Sequence, residues 1–220
     1  MPLGVSIPEN EVKRYMGYRG PVDVSPETDA MIKKAVSFLE KDCSPKYVSK
    51  AFPVTVEGYS VKLADIVIES RALARNLAGC TECVLFAATA GMASDMLIKR
   101  AAVTSSAYAS CCQAAGAAAI EAYCDLINEK IKSEYEAKGL FARPRFSPGY
   151  GDLSLEHQKD WFRLLDITRN TGIELTDSLL MVPTKSVTAI IGLSPNRLPC
   201  VKQGCEACTM SQTCAFSRKE

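Results

Sequence analysis

KYVSKAFPVTVEGYSVKLADIVIES, residues 46–70, is rich in Val, Ile and Tyr and alternates apolar and polar side chains around Val54 to Val61. Such a run reads as two strands. Upstream, Ser25-Pro26-Glu27 pairs a capping hydroxyl with a first-turn proline and an acid suited to the helix dipole. Met31, Ile32, Ala35, Val36 and Leu39 follow at helical spacing, so a helix is expected from Ser25 to Asp42. Downstream, Ser70 to Ala78 suits a helix closed by Gly79, and Cys83 to Ala90 a buried strand ended by Gly91. Ser94 to Lys138 is dominated by Ala and reads as two close-packing helices with a break near Thr104-Ser105-Ser106. Leu155 to Thr171 is expected to be one more helix, stopped by Gly172. Glu174 to Val182 and Ser186 to Gly192 read as two strands joined through Pro183-Thr184-Lys185. Helices and strands are thus mixed without a strict βαβ alternation, which predicts an α+β fold. Apolar periodicity ends near Ser194-Pro195-Asn196, dividing the chain into an α+β domain, 1–195, and a cysteine-rich tail, 196–220.

The 220 residues can bury a sizeable core, and 26 basic against 25 acidic residues leave a formal net charge of +1. No basic field is available to attract nucleic acid or an anionic membrane surface. The longest apolar run, Cys83 to Ser94, is too short to span a bilayer, and Met1 to Tyr15 lacks the apolar core of a signal peptide. A cytoplasmic location is expected. Ten cysteines in a reducing compartment then point to thiols, metal ligands or redox chemistry.

Arg145-Phe146-Ser147-Pro148-Gly149-Tyr150 stands between the Ala-rich helices and a helix start at Ser154. Pro148-Gly149 suits a type II turn. Arg145 offers a planar fork for a carboxylate, and Tyr150 a ring with a polar tip. A small zwitterion fits such a loop, although a solvent-facing Arg beside a packed Tyr would use the same residues. Glu121 alone would be read as a solvated helix position.

These residues carry a family likeness. Arg, two variable residues, then Pro-Gly-Tyr resembles the S-adenosylmethionine-binding core of the activation domain of cobalamin-dependent methionine synthase. The run TGIELTDSLLMVP, 171–183, the strand start Ser186-Val187-Thr188, and the helix around Ala119-Ile120-Glu121-Ala122 are similar to the same family, over about residues 80 to 193. The resemblance implies a central, mostly antiparallel twisted sheet flanked by helices. It further implies that Arg145 pairs with the ligand carboxylate and that Glu121 faces its positively charged end. Ser147 would contribute backbone, and Tyr150 would pack on or hydrogen-bond to the ligand. The family normally continues past the last strand with an aromatic-rich segment. Here Ile190 to Ser194 leads into the cysteine tail instead.

In that tail Cys200, Cys205, Cys208 and Cys214 are separated by four, two and five residues, with no His nearby. Thiolates this close in sequence can converge on one centre, and a metal would supply ordering energy that so few apolar residues cannot. The all-sulfur set fits an iron–sulfur cluster or a structural zinc. Cys80 and Cys83 suit packing, a redox pair or two further ligands. Cys111, Cys112 and Cys124 act as small apolar residues, and His157 as a surface or capping residue.

The expectation is therefore an S-adenosylmethionine-binding reductive activator of a cobalamin-dependent methyltransferase, presenting the methyl donor to reduced cobalamin. The cobalamin is carried by a partner, a methyltransferase or methionine synthase lacking its own activation domain. Whether the chain is itself an enzyme is left open, since the cobalt is the nucleophile and no catalytic side chain is called for. A non-catalytic S-adenosylmethionine-sensing or corrinoid-protein docking module with a zinc-fastened tail is the alternative. A thiol redox enzyme built on Cys80 and Cys83 is a third reading and needs a low-pKa, accessible thiol.

Overall fold

A computed structural model describes residues 3–18 and 23–198. The long helix before the sheet forms as its sequence predicts. The Ser25 hydroxyl accepts the Thr28 amide at 3.2 Å, Pro26 opens the first turn, and α2 spans Pro26–Asp42 behind the short α1, Glu9–Tyr15. Residues 46–70 give three strands rather than two: β1 Lys46–Glu57, β2 Ser60–Leu63 and β3 Ile66–Glu69. The extra reversal lies at Ala64-Asp65, where Ala64 takes a left-handed conformation with φ of 49°. Neither Gly nor Asn marks this turn, so the usual sequence signal is missing.

Helix α3, Arg71–Asn76, leads to β4, Glu82–Thr89. Two helices follow, α4 Met92–Thr104 and α5 Ser106–Glu136. They break at Ser105, whose extended backbone and hydroxyl, accepting the Tyr108 amide, start a new helix. The 31 residues of α5 run about 46 Å. After β5, Phe141–Ala142, the expected single helix over 155–171 is interrupted. A 3-10 turn at Leu155–His157 precedes α6, Gln158–Leu165, and α7, Ile167–Thr171. Asp166 between them is left-handed, and the Leu165 carbonyl, which a continuous helix would offer to the Arg169 amide, accepts the Asn170 side-chain amide at 2.8 Å. The strand expected over Glu174 to Val182 survives only at its ends, as β6 Glu174–Leu175 and β7 Met181–Val182. Between them the Thr176 hydroxyl accepts the Leu180 amide and closes a turn. The final strand, β8, is Ser186–Ser194.

Six strands form one sheet in the order β3-β2-β1-β4-β8-β5, and every pairing is antiparallel. The fold is the α+β arrangement expected, a six-stranded antiparallel sheet flanked by helices. Alternation along the central β4 feeds two cores. Val84, Phe86 and Ala88 pack against α1, α2, α4 and α5, while Cys83, Leu85 and Ala87 pack against α3, α6 and α7. Trp161 of α6 is fully buried in the second layer and donates its indole N–H to the Ala189 carbonyl of β8 at 3.1 Å. No helix among the described residues is long and apolar enough to cross a membrane.

Candidate functional site

The chain from 143 to 153 crosses the β8 edge of the sheet. Arg143 donates its amide to the Gly192 carbonyl, and Phe146 and Ile190 exchange two backbone hydrogen bonds of 2.8 Å each. Phe146 therefore points into the α6 layer, and Arg145, one residue earlier, reaches toward α5. The Pro-Gly turn forms as its composition demands. Gly149 has φ of 91°, and the Tyr150 amide closes on the Ser147 carbonyl at 3.1 Å. Asp152 ties the loop to the start of α3: its carboxylate accepts the Ser70 hydroxyl at 2.6 Å, the Arg71 amide at 2.9 Å and the Ala72 amide at 3.0 Å. The Ser70 hydroxyl and those two amides hold the carboxyl down at about 2.

Arg145 and Glu121 come together, although 24 residues separate them in sequence. One terminal nitrogen of the guanidinium, Nη2, pairs with Glu121 Oε2 and lies 3.3 Å from Asp125 Oδ1. Glu121 and Asp125 sit one turn apart on α5 and so present two carboxylates on one face. The other terminal nitrogen, Arg145 Nη1, is buried without a hydrogen-bond partner among the described residues. A buried donor left unmade costs about 1–3 kcal/mol. Tyr15 of α1 adjoins the cluster; burial raises its pKa and the Glu121 charge raises it further. Cys124, inside the same turn, is buried, and desolvation pushes its thiol up to about 12 despite the cation at Arg145.

Ser147 supplies its carbonyl to the turn, and its side chain is half-buried. Tyr150 is exposed, with its ring edge-on to Phe146 at 5.9 Å. His157 forms a 2.8 Å contact with Asp160 on the next turn. Asp125 and Asp152 were not singled out from sequence. The four-residue step from Glu121 was the available signal for Asp125. Nothing local marked Asp152, whose partners lie about eighty residues away.

Cys80 and Cys83 do not meet the requirement for a reactive pair. Both are buried, and desolvation pushes their thiols up to about 11 and about 12. Cys111 and Cys112 are packed among the helices, as expected of small apolar residues. The four tail positions, Cys200, Cys205, Cys208 and Cys214, lie outside the described residues. Among the described residues no group of three or more His, Cys, Asp or Glu side chains is placed to hold a metal ion.

The sequence matches the family described as vitamin B12 dependent methionine synthase, activation domain, over residues 55–198. A crystal structure of the MetH reactivation domain bound to AdoHcy is similar in fold, with a TM-score of 0.63 at 18% identity. The alignment covers 86% of this chain and 77% of that one. No curated protein matches the sequence.

Proposed function

Because the chain belongs to the family of activation domains of vitamin B12 dependent methionine synthase, we propose that it binds S-adenosylmethionine and presents the methyl group to reduced cobalamin held by a partner. That partner is a methyltransferase or methionine synthase without an activation domain of its own. The cluster of Arg145, Glu121 and Asp125 carries this reading. An amino-acid head group brings one carboxylate and one ammonium, the complement of a guanidinium between two carboxylates. Binding is then an exchange of partners: the ligand carboxylate takes the fork of Arg145, Nη1 included, and the ammonium takes Glu121 and Asp125.

The magnitudes favour exchange. A partly exposed ion pair stabilises by about 0–1 kcal/mol. Each charge-assisted hydrogen bond to a ligand contributes about 1.5–3 kcal/mol. Ser147 and Tyr150 lie on the turn two and five residues beyond the cation, where the rest of the ligand would extend. In the transfer the carbon–sulfur bond breaks with its electron pair left on sulfur, giving S-adenosylhomocysteine. The cobalt supplies the attacking electron pair, so the chain's own residues have only to hold and aim the sulfonium.

In this proposal Cys200, Cys205, Cys208 and Cys214 would hold an iron–sulfur cluster, which would relay one electron from an external one-electron donor to the oxidised cobalamin. Calorimetry tests the ligand half: Arg145→Ala is expected to weaken S-adenosylmethionine at least tenfold, and unchanged affinity removes the site. Metal and sulfide analysis of anaerobically prepared protein tests the other half. One zinc per chain without visible absorption would leave the tail a fastening and make the protein a docking module.

A further inference from the structure

Lys185 is not used by the proposed methyl-donor site, yet the fold fixes it closely. The buried Asp95 of α4 accepts both the Thr184 amide at 2.9 Å and the Thr184 hydroxyl at 2.6 Å. The Lys185 carbonyl accepts the Ala90 amide at 2.9 Å. The backbone is thus pinned immediately before and at Lys185. Its aliphatic stem lies across Gly116 of α5, where even a Cβ would come within 3.0 Å of the Lys185 Cε. So directed, the ammonium donates to Gln113 Oε1 at 2.9 Å and retains two further N–H groups.

It opens on a cleft of about 590 Å³ between the C-terminal end of α1, α4 and α5. Met16, Ile98, Ala102 and Ala117 make most of the wall apolar. Ala117 lies one turn, about 6 Å, from Glu121 along α5, so the cleft is a neighbour of the ion-paired cluster rather than part of it. We propose that this cleft is a second binding site, for an organic anion with an apolar body, its charged group held by Lys185 and Gln113. Apolar walls select the body by burial, and a half-buried cation selects the sign of the head group. Desolvation lowers the Lys185 pKa, with the Asp95 carboxylate opposing it, and a bound anion would relieve that cost.

The site is independent of the methyl-donor reading and can be tested without S-adenosylmethionine. Two fluorescent probes of like body are compared on the full chain: 8-anilinonaphthalene-1-sulfonate and the uncharged N-phenyl-1-naphthylamine. The sulfonate is expected to bind at least tenfold more tightly, to be displaced by octanoate, and to lose that advantage in Lys185→Met but keep it in Lys185→Arg. Acetylation of Lys185 by acetic anhydride, followed by mass spectrometry on the unaltered protein, should slow when the sulfonate is present. Equal affinity for the two probes, or unprotected Lys185, overturns the proposal whether or not the variants fold.

Discussion

Asp152 shows how one side chain sets the position of the Pro-Gly-Tyr loop. Its three hydrogen bonds run from the loop to the first turn of α3, and they favour the ionised form. A depressed carboxylate contributes its stability in full above the ordinary value of 3.8 and loses it as the pH falls through about 2. Asp152→Asn is therefore expected to lower the melting temperature by a few degrees near neutrality. The gap to the parent should close between about pH 4 and pH 2 in an acid series followed by circular dichroism. A gap that persists at the acid end would mean that shape rather than charge holds the loop. At this scale the sequence was readable where a motif is contiguous. Arg145, Pro148 and Gly149 announce a cation beside a tight turn, and Glu121 gained meaning only from the family pattern around it. Asp152 was not readable, because its chemistry depends on residues 70–72 being folded beside it.

Elements were legible where periodicity was long and punctuated. Helix α2 and the Ser105 break formed where expected, and β8 starts at the expected Ser186 and runs two residues past Gly192. The expected helix over 155–171 was not continuous, because Asp166 turns left-handed and the Asn170 side-chain amide takes the Leu165 carbonyl, neither of which hydrophobic spacing registers. Strand β8 carries a further constraint at Gly192. A Cβ there would stand 2.6 Å from Cys80 Sγ and 2.7 Å from Leu77 Cδ2, with Arg143 Cγ at 3.2 Å. Gly192→Ala is expected to destabilise the fold by about 1–3 kcal/mol through overpacking, measured by denaturant titration. Adding Cys80→Ala should return part of that loss. No recovery would place the strain on Leu77 and Arg143 alone.

At the scale of the whole molecule, the sheet separates two cores, and the ten cysteines divide unequally around it. Six are buried thiols in the described domain, leaving four of the ten in the tail. Five of those six have pKa values pushed to about 11 or above, and the sixth, Cys111, is also raised. Alkylation of the native protein near neutral pH should thus leave all six of these thiols unmodified and reach ten adducts only on unfolding. Adducts at Cys80 or Cys83 in the folded state would contradict the burial. The α+β class was legible from the order of helices and strands, whereas the division into two cores was not, since β4 reads as one continuous apolar run. Trp161 gives that division a practical use. It is the chain's only tryptophan, and it is hydrogen-bonded to Ala189, next to the Ile190 that bridges Phe146. Its emission is a single-site optical signal from the α6 side of the sheet, two residues of β-ladder away from the Arg145 loop. A ligand that rearranges that loop should change the colour or intensity of the fluorescence, whereas events confined to α2 or α4 leave it dark.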